Sequence, residues 1–220
     1  MIRALIFDFD GLILDTEGPV FQSWQELFHE FGVDLTLEAW ADYIGRSEDS
    51  FDFLDRLEAQ LGHPVDRAAI VPRRRRREDE LIAMQPVLPG VREYLDRASQ
   101  LGLKIGAASS ASCAWVTGHL ERLELWGYFD CIQAADDVRC TKPNPELYLQ
   151  ALEGLGIKPA EAIALEDSPN GVLAARRAGL FCVAVPNRLT RQLPLDQADL
   201  RLDSLADLSL DQMIAIADQT

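Results

Sequence analysis

The chain has 220 residues, of which 48% are hydrophobic, and its formal net charge is −15. This length and this hydrophobic content suffice for one large domain or for a domain with a substantial insertion. The negative charge argues against nucleic acid as the main partner, because phosphate repulsion is not offset over most of the surface.

The cysteines and the hydropathy of the sequence exclude further classes of protein. The four cysteines are scattered and form no CxxC pair, so the sequence suggests neither a zinc site nor a disulfide framework. No basic segment followed by an apolar core stands at the N-terminus, and no stretch approaches the roughly 18 apolar residues that span a bilayer. We therefore expect a cytoplasmic protein that has no membrane partner.

The predicted elements begin with a strand, RALIFDF (3–9). From Gly90 onward, apolar residues at helical spacing alternate with short apolar runs that are typical of strands. The later predicted strands are 103–109, 129–135, 162–166 and 181–185, and the helices between the last of them are 145–156 and 170–180. This alternation indicates an α/β fold, a doubly wound parallel sheet that is covered on both faces.

Residues 17 to about 86 interrupt this alternation, because their apolar residues follow helical spacing throughout. QPVLPG (85–90) has the proline and glycine content of a return linker. We therefore predict an α/β core formed by residues 1–15 and 87–220, and an inserted all-helical domain, 16–86.

Polar side chains cluster where the predicted strands end. In an open parallel sheet, ligands gather at the carboxyl ends of the strands, near the point where the strand order reverses. The residues that this rule selects are Asp8, Asp10, Ser109, Glu166 and Asp167, with Lys142 in a neighbouring loop. Several carboxylates in one crevice need a counter-charge, and Mg²⁺, a hard cation that prefers oxygen ligands, is the usual solution.

These residue types suit phosphate chemistry. An Asp carboxylate can attack phosphorus to give an aspartyl phosphate, while a cation and an ammonium offset charge on the transferring oxygens. A carboxyl group two residues along can protonate the leaving alcohol and later take a proton from water. Gly11 permits a tight turn that would direct amide N–H groups to the phosphate.

Four segments together resemble the motifs of the haloacid dehalogenase (HAD) superfamily, in the branch of phosphatases and β-phosphoglucomutases with a helical cap after the first strand. They are DFDGLILDT (8–16), KIGAASS (104–110), CTKPNPELY (140–148) and ALEDSPNG (164–171). The resemblance spans nearly the whole chain. It implies a Rossmann-like core and identifies the helical insertion, 16–86, as the cap domain.

The resemblance also implies catalytic roles. Asp8 would be the nucleophile and Asp10 the general acid and base. Ser109 would bind the phosphate through its hydroxyl, and Lys142 would bridge the phosphate and the nucleophile.

The implied metal site takes a carboxylate oxygen of Asp8, the backbone carbonyl of Asp10 and the side chain of Asp167, with Glu166 acting directly or through water. In the insertion, YIGRS (43–47) resembles a loop that contacts substrate, which makes Arg46 a candidate substrate ligand. The arginine run 73–77 is interpreted mainly as solvated or paired with nearby acids, although one member could reach an anionic substrate.

Residue types separate the reactions of this superfamily. Dehalogenases lack the second Asp, so Asp10 argues against dehalogenation. Phosphonatases use a cap lysine, and residues 16–86 contain none. Mutases keep Asp10, but β-phosphoglucomutases carry a His where this chain reads EGPVF (17–21), which favours hydrolysis without deciding it.

We therefore predict a Mg²⁺-dependent phosphatase for small phosphorylated metabolites, with sugar phosphates as the default class. The alternatives are a sugar-phosphate mutase, a receiver-type phospho-acceptor signalling module and a catalytically silent binding protein. Asp10 and the helical insertion argue against the receiver module. The precise substrate and the oligomeric state stay open, with a monomer preferred.

Overall fold

The computed structural model describes residues 1–41 and 52–219. The chain separates into two compact units. One, the α/β unit, comprises Met1–Leu14 and Pro86–Thr220, and the other, the helical unit, comprises Asp15–Gln85. Within the described ranges, no helix combines the length and the hydropathy needed to cross a membrane.

The α/β unit is built on a six-stranded sheet. In chain order its strands are β1 (Ala4–Phe7), β2 (Lys104–Ala108), β3 (Cys131–Gln133), β4 (Ala162–Glu166), β5 (Phe181–Ala184) and β6 (Leu200–Arg201). They lie in the order β3-β2-β1-β4-β5-β6, and every neighbouring pair is parallel. The predicted α/β, doubly wound parallel fold is therefore confirmed.

The central strands are buried at every position, because helices cover both faces of the sheet. The helices of this unit are α5 (Val91–Leu101), α6 (Cys113–Arg122), α7 (Glu146–Leu155), α8 (Pro169–Arg177) and α9 (Leu210–Ala217). On one face, Ile6 and Ala164 belong to a single core cluster with Leu147 and Ala151 of α7 and Ala175 of α8. Unbroken apolar strands are the consequence of this double cover.

The sequence predicted most elements of the α/β unit and missed two at its end. β4 has the predicted bounds, whereas β1 and β3 are shorter than predicted. β6 has only two residues and therefore shows no apolar run. The helix α9 begins with a capping box in which Ser209 accepts from the amide of Gln212.

The helical unit contains α1 (Glu17–Glu30), α2 (Leu37–Ala41), α3 (Phe53–Leu61) and α4 (Arg67–Ala83). Phe28 and Trp40 are fully buried in it. The side chain of Thr16 makes no capping hydrogen bond, whereas Asp15 Oδ1 accepts from the amide of Gly18 at 2.8 Å. The first turn of α1 is therefore capped by the side chain of Asp15 and not by that of Thr16.

The arginine run forms ion pairs inside the helical unit. Arg73 pairs with Glu30, Arg74 pairs with Glu78, and Arg77 pairs with Glu26 and Glu80. These contacts fit the interpretation of the run as solvated and paired charge.

Candidate active site

The carboxyl ends of three neighbouring strands, β2, β1 and β4, lie together where the strand order reverses. β1 lies between β2 and β4 and is parallel to both, so Asp8, Ser109 and Glu166 all stand at the carboxyl edge of the sheet. The amide of Asp8 donates to Leu165 at 2.9 Å, and the amide of Ser109 donates to Gln133 at 2.9 Å. Backbone pairing therefore fixes these positions at the edge where ligands of such sheets bind.

Lys142 joins two of the carboxylates. Its Nζ lies 2.5 Å from Asp8 Oδ1 and 2.6 Å from Glu166 Oε1, and its side chain is only 5% exposed. The ammonium also lies 5.3 Å from the ring centroid of Tyr148. The two ion pairs keep the buried ammonium group charged and fix its orientation.

Electrostatics at this edge follow from burial. The pKa of Glu166 is raised from 4.5 to about 7, chiefly by burial and then by the charge of Asp8, while Lys142 acts in the opposite direction. Burial alone would lower the pKa of Lys142, but Asp8 and Glu166 overcome this and the net direction is upward. Asp8 and Glu166 therefore present two carboxylates to the one ammonium group of Lys142.

The same carboxylates could hold a metal ion. Ligand atoms of Asp8, Glu166 and Asp167 all lie within 4.8 Å of one another, and all three residues are buried. Glu166 Oε2 is buried and accepts no hydrogen bond from any residue in the described part of the chain. Oxygen ligands at this spacing, one of them unpartnered in this way, fit a hard divalent cation such as Mg²⁺.

Asp10 stands beside Ser109. Ser109 Oγ lies 3.4 Å from Asp10 Oδ2 and accepts from the amide of Ala111 at 3.0 Å. Ser109 is fully buried, whereas Asp10 is half-buried. A second carboxyl group thus lies beside the strand end that carries Ser109.

Two glycines make room for the carboxylates. Gly11 has φ +80°, and a Cβ there would lie 2.3 Å from Asp167 Oδ2. A Cβ at Gly171 would lie 1.8 Å from Glu166 Oε2. Both positions therefore exclude any side chain.

The amide of Gly11 donates to the carbonyl of Leu14 at 2.8 Å. That N–H serves the turn itself, and the orientation of amide groups toward a phosphate stays a prediction. What the geometry supports for Gly11 is the turn and the close approach of Asp167. Arg46, the predicted ligand from the insertion, lies outside the described residues.

Comparison with known proteins decides the family. Residues 5–185 match the model of the haloacid dehalogenase-like hydrolases. The chain belongs to this family. YhcW of Bacillus subtilis (strain 168), whose name describes a phosphatase, is 48% identical over 210 residues, which cover 96% of this chain and 95% of YhcW.

Two further comparisons support the same family. Hexitol phosphatase B of Escherichia coli (strain K12) is 31% identical to this hydrolase and covers 97% of both chains. A crystal structure from Thermotoga maritima, described as a β-phosphoglucomutase, has a TM-score of 0.77, 27% identity and coverage of 94% and 96%. The predicted family and the predicted enzyme class, a phosphoric monoester hydrolase, are therefore confirmed.

Sequence reasoning missed several side chains that hold the site of this haloacid dehalogenase-like hydrolase together. The hydroxyl of Tyr148 donates to Glu166 Oε1 at 2.5 Å, and Asn187 Nδ2 donates to Asp167 Oδ2 at 2.8 Å. Trp115 Nε1 donates to Asp10 Oδ1 at 2.9 Å. Asn187 follows β5, so the strand-end rule could have selected it, whereas Tyr148 and Trp115 stand at helical spacing among core residues.

Proposed function

We propose that the protein hydrolyses small phosphate monoesters in a Mg²⁺-dependent reaction that passes through an aspartyl phosphate on Asp8. The observation that carries the proposal is the buried cluster of Asp8, Lys142, Glu166 and Asp167 at the carboxyl edge of the sheet. Hexitol phosphatase B among the relatives supports sugar phosphates as the substrate class.

Asp8, Glu166 and Asp167 are the side chains that would hold Mg²⁺, and the backbone carbonyl of Asp10 is a further candidate ligand. Bound there, the ion would offset the negative charge that builds up on the transferring phosphoryl oxygens. The buried, unpartnered Oε2 of Glu166 supports this assignment.

Lys142 and Asp10 assist the other steps of the reaction. Lys142 holds Oδ1 of Asp8, which orients the carboxylate for attack on phosphorus, and its ammonium also attracts the phosphoryl oxygens. Asp10 gives a proton to the departing alcohol as the phosphorus–oxygen bond breaks. Asp10 then takes a proton from the water that cleaves the phosphate from Asp8, which restores both carboxyl groups.

Burial makes these charges effective. Asp8 is 6% exposed and Ser109 is fully buried, so little water competes for the phosphate there. Fixed charges act more strongly in such surroundings than in bulk water. We propose that the hydroxyl of Ser109 donates to a phosphoryl oxygen, and we keep Gly11 and Arg46 as candidate substrate contacts.

The experiment that tests this function is a screen of phosphorylated metabolites for phosphate release, with Mg²⁺ and with a chelator. We expect release from one or more sugar phosphates that the chelator abolishes and added Mg²⁺ restores. Calorimetry should also show Mg²⁺ binding that Asp167→Asn weakens at least about tenfold. Release that continues unchanged in the chelator would contradict the proposal.

A sugar-phosphate mutase is the second candidate, and the similarity to the structure described as a β-phosphoglucomutase favours it. Incubation with β-glucose 1-phosphate separates the two activities. A phosphatase releases free phosphate, whereas a mutase accumulates glucose 6-phosphate. A phosphorylated Asp8 that persists without hydrolysis would instead indicate a phospho-acceptor module.

The cytoplasmic location and the monomeric state stay predictions.

A further inference from the structure

The side chain of Trp115 points its only polar atom at the proposed proton donor. Trp115 lies in the first turn of α6, whose N-terminus is capped by Ser112. Its Nε1 donates to Asp10 Oδ1 at 2.9 Å, across 105 positions of sequence. The other oxygen, Oδ2, lies 3.4 Å from Ser109 Oγ. Both oxygens of Asp10 therefore face donors from the segment that follows β2.

We propose that Trp115 is a positioning residue that holds Asp10 in the orientation needed for proton transfer, an inference that rests on the proposed function. An indole N–H donates a hydrogen bond and accepts none, so it can orient a carboxyl group without exchanging a proton with it. Oδ1 accepts this bond, whereas Oδ2 faces the hydroxyl of Ser109, which can accept as well as donate, so we assign the proton given to the leaving alcohol to Oδ2.

The indole is itself held in place. His119, one turn further along α6, meets the Trp115 ring edge to face, with ring centroids 4.3 Å apart and an interplanar angle of 70°. His119 also lies beside Phe9, the residue before Asp10, with centroids 6.2 Å apart. Trp115 and the turn that carries Asp10 thus share one aromatic contact, which limits rotation of the indole.

A packing role alone does not require this geometry. Trp115 is only half-buried, and a half-buried ring could place its N–H in solvent. Here the N–H points to a carboxylate oxygen of the reacting edge instead. The positioning role predicts a loss in the steps in which Asp10 transfers a proton, and at the first of these steps the loss depends on how much the leaving group needs protonation.

The test compares Trp115→Phe, which keeps a ring and removes the N–H, with Trp126→Phe as the matched control. Trp126 is 48% exposed and lies in a short 3-10 segment, Trp126–Tyr128. The probes are phenyl phosphate and p-nitrophenyl phosphate, two esters of similar shape. Phenol is the poorer leaving group and needs protonation, whereas p-nitrophenolate leaves readily without it.

For Trp115→Phe we expect kcat/KM on phenyl phosphate to fall about tenfold or more, with kcat/KM on p-nitrophenyl phosphate within about threefold. This ratio covers only the steps up to formation of the aspartyl phosphate, so it excludes the later hydrolysis, in which Asp10 also acts. Asp10→Asn should show the same dependence on the leaving group, and Trp126→Phe should match the wild type. Thermal unfolding of each variant establishes that it is folded.

Equal losses on both esters, or no loss on either, would overturn the role of Trp115 while leaving the phosphatase intact. Failure of Trp115→Phe to fold is answered by Trp115→Leu, which also lacks a side-chain donor; the same dependence on the leaving group is expected, and equal losses would again overturn the proposal. A wild-type protein that releases no phosphate from either ester in Mg²⁺ would overturn the proposed function, and this inference with it.

Discussion

The carboxyl edge of the sheet and the surface of the helical unit both bring cations together with carboxylates, but they differ in burial. At the sheet edge, the side chains of Lys142, Asp8 and Glu166 are between 0 and 9% exposed. In the helical unit, the paired side chains of Arg73 and Glu30 are 55% and 48% exposed. Buried charges lose their hydration and depend on each other, whereas exposed charges keep water as an alternative partner.

This difference in burial shows which charged side chains indicate function. The arginine run is the more conspicuous feature of the sequence, yet three of its members pair with acids of their own unit. The single Lys142 is inconspicuous in sequence, yet it lies against two buried carboxylates. Burial of a charge at a strand end is therefore the better guide to chemistry than local charge density.

The largest expected effect comes from Asp8→Asn, which keeps the size of the side chain and removes the proposed nucleophile. We expect phosphate release to fall at least about 10³-fold, because the amide cannot form the aspartyl phosphate. Initial rates of phosphate release measure this. Asp79→Asn, an exposed position on α4, is the control and should keep full activity. Appreciable activity of Asp8→Asn would contradict the role of Asp8.

Lys142→Met tests whether the buried cluster depends on its ammonium. The change leaves Asp8 and Glu166 together without their counter-charge, so we expect a loss of roughly 3–5 kcal/mol in the free energy of unfolding. Urea unfolding measures it. Lys104→Met is the matched control, because Lys104 pairs with Asp130 at the surface and is 53% exposed. Equal losses for the two lysines would show that burial does not set the difference.

Within the helical unit, the same principle ranks two neighbouring arginines. Arg74 is 10% exposed, lies 4.5 Å above the ring centroid of Trp24 and donates to Ser23 at 2.9 Å, whereas Arg73 is 55% exposed. Arg74→Met should therefore lower the free energy of unfolding by about 1–2 kcal/mol. Arg73→Met should have a smaller effect in the same urea titration. A reversed order would contradict the ranking by burial.

The smallest expected effect concerns pH at the surface. The pKa of Glu58 is lowered from 4.5 to about 2, mainly by the hydrogen bond from Arg67 and next by that from the amide of Val65. A lowered pKa in the folded state stabilises the protein above the unfolded value and loses this effect as the pH falls toward 2. Arg67→Gln should therefore be less stable than the wild type at pH 7.

Urea midpoints at pH 7 and pH 3 measure this difference, which we expect to be smaller at pH 3 and also smaller in high salt. Arg75→Gln, an exposed change in α4, serves as the control. A difference that grows on acidification would show that the pair with Glu58 is not its cause.

Much of the fold followed from local pattern. The apolar runs of β1 and β4 exist because both faces of a parallel sheet are covered, and the strand-end rule then selected Asp8 and Glu166 correctly as neighbours in space. The short strand β6 could not be found in this way, because two residues carry no periodicity.

The contacts around the site were harder to predict, because they depend on where individual side chains point. Tyr148 and Trp115 occupy helical positions whose spacing indicates packing, and only the structure shows that their polar atoms reach Glu166 and Asp10. The amide of Gly11 is a similar case, since sequence indicates a turn but not which carbonyl accepts from it.

The strand order β3-β2-β1-β4-β5-β6 has a consequence for biosynthesis. Asp8 leaves the ribosome long before its neighbours Glu166 and Asp167, and the Asn187 that holds Asp167 is translated later still. No nascent fragment that stops short of these residues can assemble the cluster. On the proposed function, a nascent chain has no phosphatase activity before Glu166 and Asp167 have been translated and have folded beside Asp8.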